Sequence, residues 1–456
     1  MVTNAIFRAV SGPAPPWNQR SRHSIIVARN QPPQQLGPVP RSAELDDVIV
    51  VGAGPAGNNT ALSLARNGYS VTVIDWRTDI GNKVCTGIIG QECARRFPID
   101  PELIHREAYS ARVVVPSAPT VRFDTVTPKA KIIDRVAYVA AFAHRAQSAG
   151  ARYLLGHRVV KVNRDSRKVT VTTEQGVYHA RCLVLAAGFG SSLTRQLGLG
   201  SVPDHVAGVQ ALVATSEVEE VEVHLGHDVA PGFFAWLAPT APGRALVGLM
   251  TRRKAPEFLA AFISRQTALG RITSVIDEPA CWAVPLRPLK RTYSDRVLVV
   301  GDAAGQVKPT TGGGIFYSLL CSEIAADTLA HCLDEDGLSA GKLGQYQRRW
   351  RQLLSHELEV GYSARRLFEF LSDRQIGALT RQAVAAGVHT DLTSSPDVSF
   401  DWHSRAIAKV MGHSSLGGAL RLINPILARF ANQPGPEFDV PLAAAPQADD
   451  LARTPN

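Results

Sequence analysis

The run Val48-Ile49-Val50-Val51 passes without a spacer into Gly52-Ala53-Gly54-Pro55-Ala56-Gly57. A helical pattern through Leu62, Leu64 and Ala65 follows, stopped by Asn67-Gly68, and a second apolar run spans Val71 to Ile74. Short, uninterrupted β-branched runs are the pattern of strands buried on both faces of a parallel sheet. Residues 48 to 75 therefore read as one βαβ unit with a glycine turn at its first strand-to-helix junction. Gly52 permits the tight turn, Gly54 lets a pyrophosphate approach the backbone, and Gly57 allows close packing of helix on strand. Pro55 and Ala56 complete the turn, and the free N–H groups and positive dipole end of the following helix bind the anion. Asp75 ends the second strand, where a carboxylate accepts hydrogen bonds from ribose hydroxyls. The pattern predicts an adenine dinucleotide site and leaves NAD and FAD equally open.

A second glycine-rich turn follows the apolar run Val297 to Val300. It reads Gly301-Asp302-Ala303-Ala304-Gly305-Gln306-Val307-Lys308-Pro309-Thr310-Thr311-Gly312-Gly313-Gly314 and leads into a helix expected from Ile315 to Cys332. This segment resembles the Gly-Asp motif of the flavoprotein superfamily that includes p-hydroxybenzoate hydroxylase. The longer string from Gly301 to Ile315 is similar to that of the geranylgeranyl reductase family. The resemblance implies FAD, with Gly301 and Asp302 at its ribityl or ribose hydroxyls and Gly312, Gly313, Gly314 and Ile315 beside the pyrimidine end of the isoalloxazine. A glycine backbone approaches a flat ring closely, and a helix N-terminus stabilises negative charge on a reduced flavin. Lys308 either adds to that field or is a solvated loop lysine.

Further segments match the same family. Lys83-Val84-Cys85-Thr86-Gly87 is similar to its Cys-Gly segment near the flavin, and Arg135 to its cofactor-contacting arginine. Phe234, Trp236, Pro239 and Gly248 match its substrate-side motif. The resemblance implies a proton-donating or alkene-positioning role for Cys85. Read on its own, this residue is equally a small buried hydrophobe, since a thiol with a pKa of about 8.5 is a mediocre acid. His224 and His227 read as satisfied or surface histidines. Two departures stand out. The superfamily's Asp-Gly motif reads Ala187-Gly188-Phe189-Gly190-Ser191, without the acid, and the second glycine after Gly248 is replaced by Met250.

The fold expected is α/β: a Rossmann-like, three-layer, mostly parallel FAD-binding domain (45–205 and 281–335). An antiparallel substrate domain (206–280, with parts of 108–130) is inserted in it, and a helical region (336–432) follows. Residues 1–44 hold seven prolines and no periodic apolar pattern, and 433–456 are rich in Pro, Ala and Asp; both are expected to be disordered. The leader's arginine-rich, acid-free character also fits an organelle transit peptide.

Charge bears on partners. The formal net charge is +9, but residues 1–43 contribute five arginines and no acid, leaving 44 basic and 40 acidic groups in the rest. That balance, without a basic run interleaved with aromatics, argues against a nucleic-acid partner. The six cysteines show no metal-ligand spacing, so no metal site is expected, and they suit a reducing, cytoplasmic setting. Helices carrying Arg348, Arg349, Arg351, Arg365 and Arg366 are candidates for peripheral contact with anionic lipid. No oligomeric state follows from the sequence.

The function expected is reduction of C=C bonds in a prenylated small molecule or lipid, with NADPH or ferredoxin as electron donor. A flavin monooxygenase or halogenase of the same fold, and an electron-transfer flavoprotein acting on quinone, are the alternatives.

Overall fold

Alternation within the apolar runs explains how the computed structural model, which describes residues 45 to 413, assembles its first sheet. Val48, Val50, Val71, Val73, Cys182, Val184 and Leu298 point into one core, and Ile49, Val51, Ile74, Leu183, Leu185, Val297 and Val299 into another. A strand buried on both faces needs no polar alternation, which is why these segments are continuous runs. Strands β1 (Asp46–Val51) and β2 (Val71–Asp75) are parallel neighbours, joined by helix α1 (Pro55–Arg66). Parallel pairing continues from β2 to Arg152–Leu155, and from β1 through Val177–Leu185 to Val297–Val299. The helices α1, Arg135–Ser148 and Ile315–Asp334 supply the layer over the first core. A hairpin, Val159–Arg164 and Val169–Thr173, pairs antiparallel onto Val177–Leu185 beside the second.

The second sheet runs in the order Ile272–Val275, His205–Thr215, Arg244–Thr251, Phe234–Pro239, Val221–Leu225, Ser110–Val114, Val121–Asp124. Its pairs are antiparallel except Val221–Leu225 with Ser110–Val114. Val209, Ala211, Leu249, Val247, Ala235 and Leu237 face the helix Ala255–Ala268 through Leu259 and Phe262. The opposite face is turned to the flavin-type domain. The strand Ala280–Pro285 also belongs to this sheet, paired along His205–Gln210. The chain therefore returns to the first sheet after Pro285, later than the expected boundary at 281, because Trp282 still packs on this sheet.

The long helix Ala340–Phe370 spans both parts: Tyr346, Trp350, Leu354 and Leu358 join the first core, and Tyr362 the apolar cluster under the second sheet. Among the described residues no helix is long and apolar enough to cross a membrane. The leader and tail expected to be disordered lie outside the described residues, as do positions 414–432 of the expected helical region.

The arginines of the long helix divide between surface and interior. Arg349 pairs with Asp327 at 2.5 Å, Arg351 donates to the Lys290 carbonyl, and Arg365 is buried at 4% exposure. Arg365 is thus interior, whereas Arg349 and its partner Asp327 stay at the surface, with side chains 47% and 61% exposed.

Candidate functional site

The first glycine turn has the form that a pyrophosphate requires. Gly52 has φ +112°, and a Cβ there would lie 2.7 Å from the Ala186 carbonyl carbon. Gly57 packs against Gly52, whereas a Cβ on Gly54 would meet nothing within 4 Å. Gly54 is the N-cap of α1, with no side-chain cap, and no acidic residue stands in the first turn, where Pro55 and Ala56 lie. This leaves an open, electropositive helix end. Asp75 is buried and braces the turn: its Oδ2 accepts from the Ala53 N–H at 2.7 Å and its Oδ1 from Arg77 at 2.8 Å.

The second turn sits against the first, since a Cβ on Gly301 would be 3.1 Å from that of Ala56. The Gly301 N–H donates to Gln306 Oε1, and Gln306 in turn donates to the Tyr346 hydroxyl. Asp302 forms an ion pair with Lys83 at 2.5 Å, tying the Gly-Asp turn to the 83–87 segment. Gly314 packs on the Asp302 carboxylate; a Cβ there would be 2.8 Å from Oδ1. The loop closes on itself through Gly312 N–H to the Lys308 carbonyl and Lys308 N–H to that of Gly313. Ile315 then opens a helix that carries no side-chain cap and no acid in its first turn.

Lys308 is not a solvated loop lysine. It is 4% exposed, and its Nζ donates to the Phe400 carbonyl at 2.9 Å and pairs with Asp401 at 3.4 Å. Burial depresses its pKa, against the opposing pull of Asp401. Its charge is thus committed to the 400–404 segment. The same segment binds the loop again through His403, whose Nδ1 meets the Thr310 hydroxyl, while Glu357 accepts the His403 and Ser404 N–H groups.

Arg135 is 6% exposed and donates to the carbonyls of Gly81 and Lys83, leaving its buried Nε without a partner. It therefore holds the backbone that presents Cys85. Thr86 donates to Gln210 Oε1 at 2.9 Å, and Gln210 Nε2 reaches the Cys85 carbonyl at 3.5 Å. Gln210 stands in the middle of His205–Thr215, so the Cys85 segment is pinned onto the second sheet.

Strand register defines the face that meets it. Trp236 lies opposite Gly248, and Gly248 opposite Gln210. In the adjoining row Gly208 lies opposite both Met250 and Trp282. Directly opposed residues share a face, so Phe234, Trp236, Gln210, Met250 and Trp282 form one floor. The two glycines make room for the indoles: a Cβ on Gly248 would be 2.6 Å from Trp236 Cε2, and one on Gly208 2.7 Å from Trp282 Cε2. Met250 reaches the flavin-type loop, since a Cβ on Gly312 would be 2.9 Å from its Sδ.

Phe234, Trp236 and Gly248 are thus brought together with the Cys85 segment and the 308–314 loop. Pro239 is not: it pairs with Ala245 and shares the parity of Ala235 and Leu237, which face the helix Ala255–Ala268. His224 lies on that far side too, held by Glu222 and packed edge-to-face with Phe262, while His227 is exposed and paired with Asp373. Cys93, Cys182, Cys321 and Cys332 are buried, Cys281 is exposed, and Cys85 is intermediate. Among the described residues no cluster suited to a metal ion occurs. Gln210, Trp282 and the Lys308–Asp401 pair escape sequence reasoning, in which Met250 figures as a departure from the motif. Only Gln210 leaves a signal, as a lone amide inside an otherwise apolar strand.

The donor set fits FAD: two adjoining glycine turns, two uncapped helix ends, an open Gly54 and a carboxylate at each turn. A family model described as FAD dependent oxidoreductase matches residues 88–328, and one described as NAD(P)-binding Rossmann-like domain matches residues 50–113. The chain is 32% identical over 357 residues to digeranylgeranylglycerophospholipid reductase 2 of Methanothermobacter thermautotrophicus, spanning 74% of this chain and 91% of the relative. To the protein of that name from Methanopyrus kandleri it is 33% identical over 358 residues, 73% and 89% of the two chains. In structure it is similar to a geranylgeranyl bacteriochlorophyll reductase-like protein from Thermoplasma acidophilum, with a TM-score of 0.73 and 20% identity over 83% of this chain and 99% of that one. It also resembles a flavin-dependent brominase, with a TM-score of 0.60 and 14% identity over 74% and 93% of the chains. These structural likenesses speak to the fold alone.

Proposed function

The chain belongs to the FAD-dependent oxidoreductases and, within them, to the geranylgeranyl reductase family, and from that premise we propose that it saturates C=C bonds of a prenyl chain carried by a lipid. The single observation that carries this reading is the apolar floor of Phe234, Trp236, Met250 and Trp282 meeting the glycine loop at Gly312. When bound and reduced, FAD supplies a hydride.

The first turn would hold the FAD diphosphate through the N–H groups of α1 and the open backbone at Gly54, with Asp75 available to the adenosine ribose. Asp302 would serve the ribityl hydroxyls, and the Lys308–Gly314 backbone would help hold the flavin ring. An unactivated alkene is a poor hydride acceptor, so alignment within about 3 to 3.5 Å and exclusion of water are the large contributions open to the protein. Phe234, Trp236 and Met250 orient the chain and keep water out. Cys85, presented by Arg135 and Gln210, gives a proton from Sγ to the second alkene carbon, so that one hydride and one proton add across the double bond. The acid-free Ala187–Ser191 segment leaves NADPH and ferredoxin both available as the source of electrons.

The test is anaerobic. Chemically reduced holoenzyme is mixed with geranylgeranyl lipid, and flavin reoxidation is followed together with product mass. Reoxidation with mass gains in steps of two hydrogens is expected. Reoxidation that needs O2 and yields a hydroxylated or halogenated product assigns a monooxygenase or halogenase instead, and quinone reduction without prenyl turnover assigns electron transfer.

A further inference from the structure

Arg365 combines burial with a lack of partners that no other described arginine shows. It lies in the Ala340–Phe370 helix, 4% exposed, and its Nε, Nη1 and Nη2 all lack a hydrogen-bond acceptor. Its guanidinium rests on the Phe233 ring, 3.2 Å from the centroid. The nearest paired carboxylate oxygen, Glu369 Oε2, is 3.7 Å away, beyond hydrogen-bond range.

The acids nearby are already claimed. Arg252 donates to Glu369 Oε1 at 2.7 Å and to Asp204 Oδ2 at 3.2 Å. Arg366 donates to Glu369 Oε2 at 3.0 Å, and the Tyr362 hydroxyl to Asp204 Oδ2 at 2.9 Å. Three arginines therefore share two carboxylates, and the unmatched charge falls on the most deeply buried of the three. Burial pushes the pKa of Arg365 down to about 9, which still leaves it charged at neutral pH. A buried, unmatched guanidinium is costly to fold around.

What surrounds Arg365 says which compartment it serves. Phe233 belongs to the same apolar cluster as Trp236, Met250, Val284 and Val307, the floor of the site described above. Trp236 Nε1 is a second buried donor without an acceptor in that cluster. With one guanidinium face stacked on Phe233, the N–H groups radiate in its plane, the geometry that takes a bidentate oxyanion.

We propose that Arg365 binds a phosphate group of the substrate's polar head and so sets how far the prenyl chain enters, an inference that rests on the function proposed above. The phosphate comes either from a free prenyl diphosphate or from a glycerolipid phosphate.

The experiment uses FAD-loaded full-length wild type, R365M and R365K. Each is assayed with geranylgeranyl diphosphate, with digeranylgeranylglyceryl phosphate in micelles, and with uncharged geranylgeraniol. R365M is expected to raise KM about tenfold or more for one or both phosphate-bearing compounds and to leave that for geranylgeraniol within about twofold. The compound that suffers more identifies the source of the phosphate. Equal loss on all three, or no loss, overturns the proposal and leaves Arg365 a packing residue. Should R365M fail to fold, R365K decides in the same way, because lysine keeps the charge and loses the bidentate fork. Thermal unfolding with inorganic pyrophosphate separates this inference from the proposed function. An Arg365-dependent rise in Tm supports the oxyanion site even where no prenyl compound is reduced. Absence of that rise, or its persistence in both variants, overturns it.

Discussion

The Lys308 ammonium faces the Asp401 carboxylate at 3.4 Å, with side chains only 6% and 1% exposed. Lys308 stands in the glycine loop, and the second oxygen of Asp401 accepts the Glu92 and Cys93 N–H groups at 2.9 and 3.1 Å. One carboxylate thereby ties the loop to the first turn of the helix Gln91–Arg96, and Gly90 leaves the space it occupies. Removing one partner strands the other charge in the interior. K308M is expected to lose about 3–5 kcal/mol of stability in urea unfolding. The K308M/D401N double variant should lose less than the sum of the two single losses; strict additivity would show that the pair is not coupled.

His403 predicts acid sensitivity. Its Nε2–H donates to the Phe400 carbonyl and its Nδ1 accepts the Thr310 hydroxyl, so the neutral ring is fully matched. Burial, then the nearby Lys308 charge, pushes its pKa from 6.5 down to about 3. The unfolded chain binds the proton first, so this stability is complete above pH 6.5 and drains away as pH falls toward 3. Between about pH 7 and pH 5 the loss is about 2 kcal/mol. Urea midpoints measured across that range should fall in wild type and stay flatter in H403F.

The first two glycines of the first turn, Gly52 and Gly54, should respond in opposite ways. G52A places a Cβ against the Ala186 carbonyl at φ +112° and should destabilise the protein itself, by about 1–3 kcal/mol. G54A meets nothing within 4 Å and adopts an ordinary backbone, φ −84°. It should leave the Tm of the FAD-free protein almost unchanged and weaken FAD binding about tenfold or more, measured by fluorescence titration, because the added methyl stands where the diphosphate approaches.

Gln210 ties Cys85 and Thr86 to the sheet, so Q210L should retain FAD while lowering kcat. The lost bonds to a buried amide correspond to about 1–3 kcal/mol, or roughly tenfold or more in rate. Unchanged kcat in Q210L would mean that the 85–86 segment holds its position without the amide.

Cys85 carries the proposed proton transfer. C85S should bind FAD normally and slow alkene reduction about a hundredfold or more, with a solvent isotope effect altered from that of wild type. Full turnover with the normal product pattern would remove Cys85 from the chemistry.

Much of the frame was legible because it is local. The β-branched runs at 48–51 and 71–74 and the glycines between them specify backbone conformations that neighbours along the chain decide, and these elements appear where the pattern put them. Pro239 shows where locality ends: its motif placed it beside Trp236, yet an odd spacing along a strand turns it to the opposite face. Lys308 shows the same limit, since nothing in a glycine loop announces a carboxylate 93 residues away.

By itself, then, the sequence determined two strand–turn–helix junctions, the open glycines within them and the flavoprotein frame they build, since backbone freedom and side-chain periodicity are written residue by residue. Tertiary structure decided which face of the second sheet became a floor, that Gln210 would pin Thr86 from 124 positions away, and that Arg365 would be buried without a matching acid. Those outcomes depend on which surfaces meet when the chain closes on itself, and on how many acceptors lie within about 3 Å of each donor there.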